Sequence, residues 1–446
     1  MSSAAPIRQL SLLQITAIIV GTVIGSGVFI SIPIVAKLSG SPGMSIVVWF
    51  LGGVLWIPQI FVLAEMGTAF PIQGGPYLYL QKAGSPFLAF LYVWTAFLTS
   101  DTPTLTIVAL SAVSVVKVFS PVFGDPFYGK VIAAALIGLF GVLNYRSVKA
   151  GGNIQIILTA AKLTPLLAVV LIGIFTFHSG NVSFQPSAVV AETTSVFALI
   201  TAGLSSTLWS YAGFINILYM AGEVKNPERT LPVALIGSLF FVLLAYTMIA
   251  FCTSAIVPYA DMVAAVGQFV NPFQHIDFFS GYAGAVFAGA AFISMIGVLN
   301  AATMAQPRLE YAIARDGLFF RAFGHLHPRY LTPDYSILIQ CGLAIGLFLL
   351  GDIENMLGYF TLSYALQNGL VYGALFFLRR KSDYRPAYRA PLWWLMAALA
   401  ILIQIYIAVG TFIAYPAGGI LSSLFLILSG FPIYMYYKRT FSHDRT

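Results

Sequence analysis

Gly21-Thr22-Val23-Ile24-Gly25-Ser26-Gly27-Val28-Phe29 lies in the middle of the first apolar run of the chain, residues 11–35. The run is long enough to cross a bilayer. Three glycines and a serine at its centre weaken a helix where lipid would most need one. Gly21 and Gly25 also have GxxxG spacing, which lets two helices approach closely. Taken alone, the stretch reads equally as a packing seam or as a break in the helix.

The composition decides the setting. Of 446 residues, 59% are apolar and only 8% are charged, against about 25% charged in a soluble domain. A water-facing surface needs more charge, so a soluble globule and a disordered chain are both excluded. The apolar runs are about 20 residues long and do not alternate as barrel strands do, which leaves an all-α membrane protein. Twelve spans are expected, near 11–35, 43–70, 84–118, 127–145, 153–177, 194–221, 231–258, 281–307, 335–351, 355–378, 391–414 and 417–437. The third is too long for one crossing and should tilt or extend beyond the lipid. No cleavable leader is read at the N-terminus, and no soluble domain is expected at either end.

The net charge of +7 reflects topology rather than nucleic-acid binding. Alternate connecting segments carry 18 of the 22 basic residues, from Arg8 and Lys82 through the Arg379–Arg389 cluster to Arg445. The positive-inside rule places that side, with both termini, in the cytoplasm of a cell-membrane protein. Asn181-Val182-Ser183 falls in an outer loop, where so short a glycosylation pattern is better read as chance. Cys252 and Cys341 sit inside apolar runs without metal or disulfide spacing. The five histidines fall in loops or the C-terminal tail, so no metal and no cofactor is expected.

Span 6 turns the first stretch toward a break. Trp209-Ser210-Tyr211-Ala212-Gly213-Phe214 is a second small-residue interruption, five spans after the first. Five is odd, so a repeat of spans 1–5 in spans 6–10 must be inverted in the membrane. Paired interruptions in two inverted halves mark a transporter's binding site. The unwound backbone offers N–H groups that suit a carboxylate and carbonyls that suit an ammonium, the two ends of an α-amino acid.

The order of motifs resembles the amino acid–polyamine–organocation superfamily, and within it the L-type amino acid transporter branch. The resemblance rests on Gly21 to Phe29, Ala64-Glu65-Met66-Gly67 through Pro71, and Gly74-Gly75-Pro76-Tyr77 with Tyr79. It continues through Asn144-Tyr145-Arg146, Tyr211-Ala212-Gly213-Phe214, Asn226 to Pro232, Leu299-Asn300 and Ala314-Arg315-Asp316-Gly317-Leu318. It implies a LeuT-like 5+5 inverted repeat with discontinuous helices 1 and 6. Residues 8–380 would form the ten-helix transport core and residues 390–438 helices 11 and 12. It implies a substrate site at Val23, Ile24, Gly25, Ser26, Gly27, Trp209, Ser210, Ala212, Gly213 and Phe214, with the carboxylate near Ser26 and Gly27. The ammonium would meet carbonyls near Val23, Trp209 and Ala212, and Trp209 stands where the family places an aromatic gate. Eukaryotic relatives carry a cysteine after span 3 that ties them to a glycoprotein; Phe119 to Pro126 has none, so no disulfide-linked heavy subunit is expected. Ala212 stands where relatives favouring cations can carry an acid, which points to neutral substrates.

Two ionisable residues lie at membrane depth, where each needs a partner or a role. In sodium-independent relatives a fifth-helix lysine occupies the coupling-ion region, and Lys162 matches it. Its amine is expected near the carbonyls of Thr22 and Val23, with hydroxyls of Tyr246 and Ser294 as further partners. Asp101 reads either as part of a substrate or proton path or as a helix-bend hydrogen bond, helped by Thr102 and Pro103. Glu65 is expected in a structural or gate pair. The expected function is secondary transport of neutral L-amino acids, as a sodium-independent exchanger or facilitator. A proton-coupled symporter is the alternative, and polyamine or purine carriage stays open within the fold. No HExxH, GxSxG or buried histidine cluster supports an enzyme, and short tails leave no signalling domain for a receptor.

Overall fold

The computed structural model describes residues 6–25, 27–175, 181–185, 195–266, 270–279, 281–349, 353–414 and 416–443. These residues are helical almost throughout, and the isolated bridge between Leu10 and Val224 is a single contact between two extended segments. The first apolar run forms two helices, α1 (Leu12–Val23) and α2 (Gly27–Ser39). A capping box starts α1, with Ser11 and Gln14 satisfying each other's backbone N–H groups. Then follow α3 (Pro42–Ala69), α4 (Pro76–Ala83) and α5 (Pro86–Thr95).

The third apolar run does not stop at α5. A π-helical turn, Ala96–Asp101, leads into α6 (Thr102–Val115). The wider turn rotates the residues beyond it, and such turns recur at functional sites. Asp125 caps α7 (Pro126–Arg146), accepting from the N–H groups of Phe127 and Tyr128. Next come α8 (Val148–Phe175), α9 (Val196–Ser210), the single turn α10 (Asn216–Tyr219), α11 (Pro227–Ile256) and α12 (Tyr259–Ala264). The eighth run extends further than its apolar pattern suggests. Gln306 stays in the right-handed helical region between α13 (Ala283–Ala305) and α14 (Pro307–Arg315). Pro307 is tolerated because it stands at the first position of its helix. The chain ends with α15 (Asp334–Gly346), α16 (Ile353–Leu378), α17 (Trp393–Ala414) and α18 (Pro416–His443).

Seven helical stretches among the described residues are long and apolar enough to cross a membrane, including α3, α8, α11 and the composite Pro86–Val118 and Ala283–Arg315. Shorter apolar helices include Leu12–Val23, Ile30–Ser39 and Val196–Leu208. The breaks after Val23 and Ser210 cut runs that the sequence reading counts as single spans. Around those breaks the core is aromatic: Trp49, Trp56, Tyr211 and Tyr246 are fully buried. Tyr246 packs edge-on to Tyr211 and Trp49, with ring centroids 4.9 and 5.4 Å away.

Candidate functional site: two broken helices around one cavity

The break after α1 begins when one backbone donor changes partner. The Gly25 N–H turns back to the Val23 carbonyl at 2.9 Å rather than continuing the helical ladder to Gly21. Carbonyls are thereby left for other groups, and three side chains take them. The Lys162 amine donates to the carbonyls of Gly21 at 2.7 Å and Ile24 at 2.5 Å. The Tyr246 hydroxyl donates to Val23 at 2.8 Å, and the Ser294 hydroxyl to Ile24 at 3.2 Å. Both lone pairs of the Val23 carbonyl are then used. Lys162, expected beside the carbonyls of Thr22 and Val23, takes those on either side because the Gly25 N–H turns back to Val23.

The second break occupies residues 211–215. Gly213 has φ +122°, which L side chains rarely adopt, so the chain turns there without helical hydrogen bonds. Tyr246 reaches this break as well, donating to the Ser210 carbonyl at 3.2 Å. Its hydroxyl therefore joins the two interruptions. The Trp56 indole donates to the Leu208 carbonyl at 3.2 Å and fixes the end of α9 against α3.

A cavity of about 240 Å³ lies between the breaks. Of the expected site residues, Val23, Gly25, Gly27, Ser210, Ala212, Gly213 and Asp101 line it. Ile24 is buried and contributes its carbonyl to Lys162 and Ser294. Phe214 turns away onto Trp56, with ring centroids 5.7 Å apart. Lys162, Tyr246 and Ser294 act from behind the cavity wall, on the backbone of the first break. Ser26 and the Trp209 side chain lie outside the described residues. Lining residues that the sequence does not disclose include Ser100, Thr104, Asn216, Met295, Val298 and Gln306. Only the unexplained polarity of Ser100, Thr104 and Asn216 within apolar surroundings could have flagged them.

A chain of amides positions Lys162. Asn144 donates to Asn300 at 3.0 Å, Asn300 to Gln155 at 2.7 Å, and Gln155 to Thr159 at 3.3 Å. Thr159 donates to the Ala17 carbonyl of α1 at 3.0 Å. The chain joins α7, α13, α8 and α1, and it ends one turn before Lys162. Each buried amide is expensive unless paired, so the chain holds α8 in one register against the break.

Toward the side of the basic loops, the structure closes with charge. Glu65 accepts from Arg379 at 2.7 and 2.6 Å, from Tyr384 at 3.1 Å and from the Ala390 N–H at 2.8 Å. Asp316 accepts from Tyr77 at 2.7 Å and Gln81 at 2.9 Å. Burial, then the Asp316 carboxylate, push the Tyr77 phenol well above its ordinary value, so it remains a donor. In the cavity wall, the Ser210 hydroxyl donates to Ser31 of α2 at 2.9 Å. The Asn181 amide of the short sequon donates to the Ala255 carbonyl at 3.1 Å.

Comparison with known proteins agrees with this architecture. The amino acid permease family model matches residues 10–436. The chain is 28% identical over 445 residues to the b(0,+)-type amino acid transporter 1 of Mus musculus, covering 97% of this chain and 88% of that one. It is 28% identical over 436 residues to the serine/threonine exchanger SteT of Bacillus subtilis (strain 168), covering 97% of each. It is also 28% identical over 396 residues to the cystine/glutamate transporter of Homo sapiens, covering 86% of this chain and 77% of that one. A broken-helix cavity, long apolar helices and these matches along nearly the whole chain have one common reading: this is a membrane-embedded amino acid transporter rather than an enzyme, and it belongs to the amino acid permease family.

Proposed function

We propose that the chain carries neutral L-amino acids across the cell membrane by alternating access, as a sodium-independent exchanger or facilitator. One observation carries the reading: a cavity the size of a small solute lies between two helix breaks, and Lys162 sits on the carbonyls of the first. An amine occupies the place where a coupling cation would bridge moving and static helices. The substrate carboxylate meets backbone N–H groups around Gly27 at the start of α2. Its ammonium meets carbonyls of the second break, near Trp209 and Ala212, because the Val23 carbonyl is already saturated. Ala212 contributes no charge, which favours a neutral side chain. The names of two relatives, a serine/threonine exchanger and a b(0,+)-type amino acid transporter, support amino acid transport, and the first of them supports exchange.

The architecture we infer has twelve spans. Residues 8–380 form a LeuT-like 5+5 inverted repeat and residues 390–438 add two helices. Both termini lie in the cytoplasm, on the side that holds 18 of the 22 basic residues. No disulfide-linked heavy subunit is needed, since 119–126 lacks a cysteine. Proton-coupled symport is the second reading, favoured by an Asp101 carboxylate oxygen without a partner in the cavity wall. The test is counterflow in liposomes at zero sodium, using labelled L-serine, L-alanine and L-leucine with and without internal amino acid. Uptake stimulated by internal substrate supports exchange; uptake that requires sodium overturns the reading.

A further inference from the structure

Two carboxyl groups inside the protein are left unpaired by everything described so far. Asp101 ends the π-helical turn, is 1% exposed and lines the cavity. Its Oδ1 accepts from Ser100 at 3.0 Å, while its Oδ2 has no hydrogen-bond partner. Glu310 lies on α14, is 0% exposed, and neither of its oxygens has a partner. It follows by one turn, on the same face, Gln306, which lines the same cavity as Asp101 with its own unpaired Oε1. Phe97, one turn before Asp101, packs on Phe319 at 5.8 Å and Phe323 at 5.4 Å. That aromatic contact keeps the surroundings of the two carboxyls apolar.

Among the described side chains of the neighbouring elements and of α14 itself, Arg308 is the buried cation, whereas Lys82, Arg315 and Arg321 are exposed. The elements packed against the π-helical turn are α5, α6 and α16; those against α14 are α4, α5, α13, α15 and residues 321–324. Their titratable or charged groups, among the described side chains, are Tyr77, Tyr79, Lys82, Tyr92, Arg321, Asp334, Tyr335, Cys341 and Tyr372, and α14 itself adds Arg308, Tyr311 and Arg315. Arg308 is consumed by Glu223, and Asp334 pairs with His325 at 2.7 Å. Two buried carboxyl groups at one cavity edge without a buried cation to pair with are costly to keep ionised together.

We propose that Asp101 and Glu310 form a proton-binding site at the edge of the substrate cavity, loaded before the cavity occludes. A carboxylate oxygen of one of the two groups takes one proton from cavity water, leaving hydroxide to the bulk. The proton returns to water when the cavity reopens. Occlusion strips water from Asp101, and an ionised pair resists this far more than one holding a proton. This site rests on the transport reading above.

The experiment measures exchange of labelled L-serine, L-alanine and L-leucine in liposomes, at equal pH on both sides, over a pH series. Each protein is normalised to its own fastest rate. The wild-type rate should fall as pH rises, approaching about tenfold per pH unit once the pair loses its proton. Glu310→Gln should flatten that fall, because a neutral amide needs no proton. Asp101→Asn should do the same and serves where Glu310→Gln does not insert. A flat wild-type profile, or an unchanged fall in both variants, overturns the proposal while leaving exchange itself established. An infrared spectrum of the purified protein gives a readout independent of transport. The carbonyl band of a protonated carboxyl should be present in wild type and lost in Glu310→Gln; its absence from wild type overturns the site even if none of the three amino acids is carried.

Discussion

Arg308 grips Glu223 at two points, Nε to Oε1 at 2.8 Å and Nη2 to Oε2 at 3.2 Å, with both side chains 1% exposed. Arg308 also donates to the Met304 carbonyl. The backbone around Glu223 is tied in turn to the segment before α1: its carbonyl accepts from the Gln9 and Leu10 N–H groups at 2.9 Å, and Lys225 donates back to Leu10. One ion pair therefore fixes α14, the chain beyond the second break and the entry to the first. Removing one partner of a buried pair leaves an uncompensated charge and costs about 3–5 kcal/mol. Glu223→Gln should lower thermal stability in detergent by that order. Arg308→Lys should not restore a wild-type melting temperature, because an ammonium cannot make the two-point contact. A melting temperature unchanged in both variants would show the pair to be dispensable.

Gly21 and Gly27 belong to one glycine-rich stretch but should behave oppositely. A Cβ on Gly21 would collide with the Gln155 amide and lie 3.2 Å from Thr159 Oγ1. Both groups are held in the amide chain, so Gly21→Ala should destabilise the fold by about 1–3 kcal/mol through overpacking. A Cβ on Gly27 would meet only Ser210 Oγ, at 3.9 Å, and Gly27 lines the cavity. Gly27→Ala should insert and melt normally while substrate affinity falls by about tenfold or more, equivalent to roughly 1.4 kcal/mol. Thermal stability and substrate binding measured on both variants separate the two roles. Normal affinity in Gly27→Ala would remove the carboxylate from the start of α2.

These contrasts mark what the sequence can and cannot disclose. The glycine-rich interruption and an isolated lysine stand out because each is costly in an apolar span. The gap between α1 and α2 falls inside the quoted stretch. Which carbonyls Lys162 takes is not legible, because the choice depends on one backbone N–H turning back to Val23. The role of Glu310 is not legible for a related reason. It sits among Arg308, Arg315 and Asp316 and reads as one member of a charged loop. Only the continuation of helix through Pro307 carries it inward. The π-helical turn at 96–101 has no marker stronger than Thr102-Pro103, and it sets where Asp101 points.

Substrate charge should respond to Ala212. The residue lines the cavity and brings no polar side chain to it. Ala212→Asp would place a carboxylate among the backbone groups of the second break. The ratio of arginine to alanine uptake should rise about tenfold or more, the scale of one charge-assisted hydrogen bond. Competition assays on wild type and variant check this directly. A wild-type protein that already prefers arginine or lysine would show that the neutral assignment is wrong.

Lys162 offers the sharpest separation of binding from movement. It is fully buried on α8, and its amine supplies the donor that the Gly21 carbonyl lost when the Gly25 N–H turned to Val23. The Ile24 carbonyl still has Ser294 at 3.2 Å, so truncation at Lys162 orphans Gly21 more than Ile24. An orphaned buried acceptor costs about 1–3 kcal/mol. None of this backbone belongs to the proposed carboxylate contact at Gly27, so substrate binding should change little. What changes is the tie between α1 and α8, which must hold one arrangement and then release it as the cavity opens to the other side. Lys162→Ala should therefore slow exchange about tenfold or more while altering affinity only a few-fold, if the tie carries about 1.4 kcal/mol of the difference between states. Binding measured in detergent and exchange measured in liposomes on the same preparation provide the comparison. Wild-type exchange rates in Lys162→Ala would reduce the residue to a static fastener, and a collapse of affinity equal to the loss of rate would move it into the substrate site itself.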